Sequence, residues 1–331
     1  MRLLVTGGAG FIGCNFVRYV LAERLDWRVR VLDKLTYAGS LDNLADVLDD
    51  PRLEFIEGDI CDQATVDGAA SGVDAIAHLA AESHVDRSII SAEAAVQTNF
   101  AGSFRVFEAA RAAAVGRVLH VSTDEVYGAA LGEPFTEEDA LNPRNPYAAT
   151  KAGADRLAYA YFITHGLPVV IARPSNNYGP WQYPEKLVPF FVWRALNDEH
   201  LPVYGDGMQV RDWLHVRDHC GALLLLLEAG EPGEAYNIHA GNERPNLETV
   251  RLILDELGKP ESLIRHVEDR PGHDVRYSMD AGKIRALGWE PQVEWEAGIR
   301  ATVRWFAEHR EWMERAIARS KAYFAAWYAG R

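Results

Sequence analysis

A short apolar run, Leu3-Leu4-Val5, passes through Thr6 straight into Gly7-Gly8-Ala9-Gly10-Phe11-Ile12-Gly13 and then into an amphipathic stretch. A strand that turns on glycines into a helix commits the chain to a βα unit, and a strand following such a helix runs parallel to the first. The rest of the first half keeps to that pattern. Candidate strands at Arg2–Thr6, Arg28–Asp33, Leu53–Glu57, Ala75–Leu79, Arg117–Ser122 and Pro168–Ala172 alternate with helical patterns near Phe11–Arg24, Leu41–Leu48, Glu93–Ala114 and Tyr147–Thr164. The strands are nearly continuously apolar, as parallel strands covered on both faces must be. The expected fold class is α/β, a doubly wound parallel sheet.

The glycines stand in Gly7-x-x-Gly10-x-x-Gly13 spacing between a strand and a helix. There they permit a tight turn and a close backbone approach to a pyrophosphate at the helix N-terminus. Asp33 ends the second strand, twenty residues beyond Gly13. A carboxylate at that place binds adenosine ribose hydroxyls and repels a 2′-phosphate, so NAD is expected rather than NADP. The neighbouring Lys34 slightly weakens that discrimination. Gly58-Asp59-Ile60, after the third strand, would flank the adenine.

Past about Pro174 the alternation weakens. Residues 176–211 are rich in Gly, Pro, Asn and aromatics, the composition of loops lining a site. A helix near Val216–Ala229 and a strand at Ala235–Ile238 read as late sheet elements, and helical patterns at Leu247–Leu257 and Ala297–Tyr328 as a smaller lobe. The expected division is an NAD-binding domain over 1–175, to which elements near 215–240 return, and a mainly substrate-binding lobe over 176–331. No flexible linker separates them, so the two are expected to interleave.

Charge and cysteine content narrow the partners. With 34 Lys+Arg against 48 Asp+Glu the net charge is −14, which argues against nucleic acid or an anionic membrane surface. The longest apolar run, Ala222 to Leu227, is too short to span a bilayer. Cys14, Cys61 and Cys220 are odd in number and far apart, without metal or redox spacing. Reduced thiols and the lack of an export signal at the N-terminus lead to the expectation of a cytoplasmic protein.

Two segments carry chemistry. Tyr147 and Lys151 follow Asn145-Pro146, a helix start, and their i,i+4 spacing puts phenol and ammonium on one face. Free tyrosine titrates near ~10, and a neighbouring cation is expected to lower that value. Such a pair is also common as surface decoration; behind a nucleotide-binding turn it reads as hydride-transfer machinery. Ser122-Thr123-Asp124-Glu125-Val126-Tyr127-Gly128 lies at the C-terminal end of a strand, where open α/β sheets bind ligands. Adjacent carboxylates there also suit a solvated loop; in differing environments they split into an acid and a base.

With these motifs the chain resembles the extended short-chain dehydrogenase/reductases and, within them, the nucleotide-sugar 4,6-dehydratases. The matching stretches are GGAGFIG (7–13), HLAAESHVDRS (78–88), STDEVYG (122–128), YAATK (147–151), RPSNNYGP (173–180), PEKLVP (184–189), YGDG (204–207) and RPGHDVRYSMD (270–280). Together they span essentially the whole chain. The resemblance implies a Rossmann-type fold, tightly bound NAD and a hydro-lyase acting on dTDP-glucose in deoxysugar biosynthesis. It implies that Tyr147 takes the O4 proton with help from Lys151, that Glu125 takes the C5 proton, that Asp124 protonates the C6 hydroxyl, and that Thr123 orients the sugar. Cofactor contacts implied are Gly7, Gly10, Phe11, Ile12, Gly13, Asp33, Lys34, Leu35, Thr36, Asp59, Ile60, Leu79, Ala80, Ala81, Thr98, Tyr147, Lys151 and Asn177. Substrate contacts implied are Ser83, Thr123, Asn176, Lys186, Leu187, Pro202, Tyr204, Arg211, Asn246, Arg270 and His273. Lys186, Arg211 and Arg270 suit a diphosphate as local cations in an acidic protein. A homodimer through a four-helix bundle is implied as well, built from Glu93–Ala114 and Tyr147–Thr164, whose apolar residues spread wider than one stripe. Cys14 stands where serine is common, and Ala148-Ala149-Thr150 where serine-rich variants occur.

Competing readings are a sugar-nucleotide 4-epimerase or a UDP-glucuronate decarboxylase, which share the cofactor, Tyr and Lys but lack the Asp124-Glu125 pair. A non-catalytic NAD-binding sensor is a further alternative. His215 and His219 are spaced for a metal, but no third ligand accompanies them, and no metal is expected. The aromatic C-terminus (Trp305, Phe306, Trp312, Tyr323, Phe324, Trp327, Tyr328) reads as packing, and Glu137-Glu138-Asp139 as solvated charge.

Overall fold

The computed structural model describes residues 1–269 and 273–327. Its strands are Arg2–Thr6 (β1), Arg28–Asp33 (β2), Leu53–Glu57 (β3), Ala75–His78 (β4), Arg117–Val121 (β5), Val169–Pro174 (β6), Asn176–Tyr178 (β7), Leu201–Tyr204 (β8), Val210–His215 (β9), Ala235–Ile238 (β10), Glu243–Pro245 (β11) and Ile264–Val267 (β12). Seven form one sheet in the order β10-β6-β5-β4-β1-β2-β3, every neighbouring pair parallel. The doubly wound sheet expected from the sequence is present.

Alternate residues of each strand feed opposite layers. Leu3, Val5, Val29, Val31, Ala77 and Leu119 pack with Phe16, Val20, Leu223 and Leu226 from helices Phe11–Glu23 and Val216–Ala229. Leu4, Leu32, Ile76, Val118 and Ile171 pack with Val66, Val106, Phe107 and Ala158 from helices Gln63–Ala70, Ser103–Ala112 and Pro146–His165. The strand order reverses between β1 and β4, whose ends Thr6 and His78 are in register. That reversal opens a crevice above the carboxyl ends of the strands.

A second core joins Phe190, Phe191, Trp213, Val250, Ile253, Val303, Phe306 and Trp312. It holds helices Leu187–Leu196, Asn246–Glu256 and Trp295–Glu308 and two small sheets, β11-β9-β7 and β12-β8. Here the sequence reading needs correction. Residues 176–211, expected as loop, contain β7, β8, the start of β9 and the helix Leu187–Leu196. Strands of three and four residues give no readable period. Pro189 sits in the helix's first turn, where it forfeits no hydrogen bond. Leu41–Leu48 is reduced to a 3₁₀ turn at Leu41–Leu44, and Val96–Gly102 is wound as a π-helix between Glu93–Ala95 and Ser103–Ala112. The C-terminal helical pattern is two helices, Trp295–Glu308 and Arg310–Trp327, broken at His309. Arg270 and Tyr328 lie outside the described residues, as do the side chains of Tyr323, Phe324 and Trp327.

Glu137 is no solvated charge: it accepts the backbone N–H of Asn237 at 2.8 Å and so covers the sheet edge at β10. On the two helices expected at a dimer interface, Val106, Phe107 and Tyr161 are buried in the core, whereas Val96, Phe100, Phe104, Tyr159 and Ile163 are 36–61% exposed. No helix among the described residues is long and apolar enough to cross a membrane.

Candidate active site

The glycine turn divides its work among its residues. Gly7 has φ +73°, and a Cβ there would come within 2.7 Å of the Ala80 backbone. A Cβ on Gly13 would lie 2.1 Å from the Gly7 carbonyl, so this glycine lets helix and turn touch. Gly10 is the uncapped helix N-terminus, and a Cβ on it would meet nothing nearer than 3.4 Å. The first-turn N–H groups of Phe11, Ile12 and Gly13 precede the first intrahelical bond, Cys14 N–H to Gly10 C=O at 2.9 Å. Backbone donors facing open space are what an NAD pyrophosphate requires, so these residues fit that cofactor.

Asp33 is buried at the end of β2. Its Oδ2 accepts from Ala9 N–H and its Oδ1 from Leu35 N–H, both at 2.9 Å. Burial raises its pKa while those two donors hold it down. Lys34 pairs with Asp59 at 2.6 Å, which spends its charge on a carboxylate of the same pocket wall.

One cavity of about 470 Å³ runs from this turn to the second lobe. It is lined by Gly7, Gly10, Phe11, Ile12, Gly13, Asp33, Lys34, Thr36, Asp59, Ile60, Leu79, Ala80, Ala81, Thr98 and Asn177 on the cofactor side. On the substrate side it is lined by Ser83, Asn176, Lys186, Leu187, Pro202, Tyr204, Arg211, Asn246 and His273, with Thr123, Asp124, Glu125 and Tyr147 between. Of the expected contacts among the described residues, Leu35 and Lys151 are outside the lining. Leu35 packs against the sheet core, and Lys151 lies buried one turn behind Tyr147.

Helix Pro146–His165 starts at Asn145, whose side chain accepts from Ala148 N–H, with Pro146 in the first turn and a left-handed Gly166 at its end. Tyr147 and Lys151 share one buried face. Their electrostatics differ from expectation, because the tyrosine pKa is raised, not lowered. Burial and the Glu125 charge push the phenol up, and a hydrogen bond with Thr123 acts against them. Lys151 donates to the Val121 carbonyl at 2.6 Å, and its own pKa falls to about 8 through burial, while Asp155 one turn on raises it. Asp155 is itself clamped by Arg173 at 2.8 and 3.0 Å.

Thr123 caps the short turn Asp124–Tyr127 and donates to Asp124 Oδ1 at 3.1 Å. Asp124 is fully enclosed; burial first and Glu125 second raise its pKa to about 8, so it is protonated at neutral pH. Its Oδ2 has no protein partner. Glu125 is half-buried and accepts from Asn145 Nδ2 at 3.0 Å and from Tyr277 Oη at 3.4 Å. Two adjacent carboxylates thus occupy unlike environments.

Further buried polar atoms without protein partners line the same cavity: Asn176 Oδ1, Asn246 Oδ1, Gln182 Oε1, Gln209 Oε1 and Trp213 Nε1. Groups left unpaired around one cavity mark it as a site for a polar ligand. Lys186 donates to Ser83 C=O at 2.7 Å, joining two expected substrate contacts, and the Arg211 guanidinium lies 4.2 Å from the Tyr277 ring centre. Gln182, Gln209, Trp213 and Asn145 had no readable signal in the sequence as site residues. Tyr277 lies in the RPGHDVRYSMD stretch. His215 caps its helix through Arg217 N–H and His219 bonds Asn177 Oδ1 at 2.9 Å.

Comparison with known proteins turns this geometry into a family assignment. The GDP-mannose 4,6 dehydratase family matches residues 4–302. The chain belongs to this family. It is 55% identical over 306 residues to the low-salt glycan biosynthesis protein Agl12 of Haloferax volcanii, covering 92% of this chain and 98% of that one. It is 50% identical to the dTDP-glucose 4,6-dehydratase of Streptomyces niveus, with 95% of each covered. The crystal structure of DesIV, the dTDP-glucose 4,6-dehydratase of Streptomyces venezuelae, with NAD and TYD bound, superposes with a TM-score of 0.93 at 52% identity. That match covers 96% of this chain and all of the DesIV chain.

Proposed function

We propose that this enzyme converts dTDP-D-glucose to dTDP-4-keto-6-deoxy-D-glucose and water with tightly bound NAD. The observation that carries the reading is Asp124: a carboxyl held protonated to about pH 8, with an oxygen unpaired by protein, in the cavity that Glu125 and Tyr147 also line. An epimerase or decarboxylase has no use for an acid and a base side by side; water loss across one carbon–carbon bond needs both. Residues 1–175 with the elements near 215–240 form the NAD-binding part, and 176–331 mainly the sugar-nucleotide lobe.

NAD, when bound, takes the hydride from sugar C4, returns it to C6, and brings a positive charge into the cavity. The residues do the rest. Tyr147, ionised once that positive charge offsets the burial and the Glu125 charge that hold its proton, accepts the O4 proton, with Thr123 hydrogen-bonded to its oxygen, and the Lys151 ammonium holds the helix face against β5. The C4 ketone acidifies the C5 hydrogen. Glu125 takes that proton while Asp124 gives its own to the C6 hydroxyl, which leaves as water. Glu125 then returns a proton to C5. Lys186, Arg211 and Arg270 balance the diphosphate; Asn176, Asn246, Tyr204 and His273 hold sugar and base; Leu187 and Pro202 close the walls.

Incubation with dTDP-, UDP-, GDP- and CDP-glucose, followed by the alkaline absorbance of a 4-keto sugar, tests the reading. Strongest product from dTDP-glucose is expected, and its absence would overturn the assignment. The purified protein should release NAD on denaturation, identified by mass. Asp33→Ala should cut NAD retention at least about tenfold and lower the melting temperature by a few degrees, since the buried Ala9 N–H and the part-buried Leu35 N–H lose their acceptor.

The exposed Val96, Phe100, Phe104, Tyr159 and Ile163 form the face through which two copies pair as a four-helix homodimer. Light scattering at micromolar concentration should give twice the chain mass; a 36.9 kDa species would refute the dimer. The three free cysteines accord with a cytoplasmic location.

A further inference from the structure

We propose that Asn145 is a positioning residue that holds Glu125 in place against the Tyr147–Lys151 helix for the C5 proton transfer; this role rests on the dehydratase reading above. Asn145 is extended (φ −137°, ψ 162°) immediately before Pro146. Its Oδ1 accepts the Ala148 N–H at 2.8 Å, and its Nδ2 donates to Glu125 Oε2 at 3.0 Å. The two partners fix the amide's orientation, because a backbone N–H needs the oxygen and a carboxylate needs the nitrogen. One planar group therefore touches both the helix bearing the oxidation pair and the turn bearing the elimination pair.

Capping alone does not call for asparagine, since aspartate and serine cap about as well. Among good caps, asparagine alone combines an acceptor oxygen with an N–H long enough to reach a second residue. The other group on Glu125 is weaker: the Tyr277 hydroxyl is 3.4 Å away and closer, at 3.0 Å, to Asp274 Oδ2. Asn145 is thus the shorter constraint on a half-buried carboxylate whose placement decides proton abstraction.

The test uses the full-length, NAD-loaded protein with Asn145→Ser and Asn145→Asp. Serine keeps the cap but cannot reach Glu125. Aspartate keeps the cap and faces Glu125 with a like charge, and it preserves the measurement should serine loosen the helix. In a single turnover on dTDP-glucose, the rise of the reduced-nicotinamide band should stay within about threefold of the parent. Loss of water from the sugar should slow about 10–100-fold, the scale of an ångström of misplacement. In a Glu125→Gln background, adding Asn145→Ser should change the rate less than about twofold, because the pair acts as a unit. Parental dehydration in Asn145→Ser, equal slowing of both steps, or additive effects in the double variant would each overturn the role. A parent that makes no 4-keto sugar would instead defeat the dehydratase reading, and this role with it.

Discussion

Tyr147→Phe is expected to stop the reaction before any hydride leaves the sugar. The phenol is the group that lines the cavity and is hydrogen-bonded to Thr123, and it is buried in a helix start whose cap does not involve its side chain. Phenylalanine keeps the ring packing and removes only the proton acceptor. Turnover should fall by about 10²–10⁴, the usual worth of a positioned acid or base. On adding dTDP-glucose in a stopped-flow instrument, the absorbance of reduced nicotinamide should fail to appear. A normal rise in that band would show that O4 is deprotonated by something else.

The carboxylate variants should fail later and differently. Glu125→Gln keeps shape but loses the C5 base, and Asp124→Asn loses the proton donor for the departing hydroxyl; each should slow dehydration by about 10²–10⁴. Both should accumulate reduced nicotinamide and a 4-keto sugar, and Asp124→Asn should exchange more C5 hydrogen with deuterated water than Glu125→Gln. Parental turnover in Glu125→Gln would remove Glu125 as the base. Asp124 also makes a pH prediction. Its proton is retained to about pH 8 in the fold, whereas an unfolded aspartate loses it near ~3.9. Between those values the folded state holds the extra proton, so this group's contribution to stability declines as pH rises from ~4 to about 8 and is flat beyond. Asp124→Asn should therefore gain melting temperature over the parent progressively across that range while losing activity. An unchanged difference between pH 4 and pH 8 would mean the carboxyl is ionised in the fold.

The first half of the chain was readable because buried parallel strand segments such as residues 3–5 and 169–172 are apolar throughout and are punctuated by helices of ordinary length. The second lobe was not, because β7, β8 and β11 are three or four residues long and carry Asn or Pro. Pairs set by local spacing, Tyr147 with Lys151 and Asp124 with Glu125, could be named from the sequence. Contacts across the fold could not: nothing in the spacing says that Asn145 reaches Glu125, or that Lys151 is turned to Val121. The expectation that Lys151 lowers the tyrosine pKa failed for the same reason: its ammonium is bonded to the Val121 carbonyl, and burial and Glu125 raise the phenol.

β10 sits beside β6 at the sheet's edge, yet 60 residues, those up to β9 belonging to the second lobe, separate them in the chain. During synthesis, β6 leaves the ribosome with its outer edge unpaired until Ala235–Ile238 follows, at ordinary elongation rates a delay of several seconds. A nascent chain arrested before residue 235 would expose a buried-type strand of six residues as a template for pairing with other chains. Truncation at residue 175 would therefore strip β6 of its β10 partner, and a holdase binding the nascent chain would be most needed over that interval.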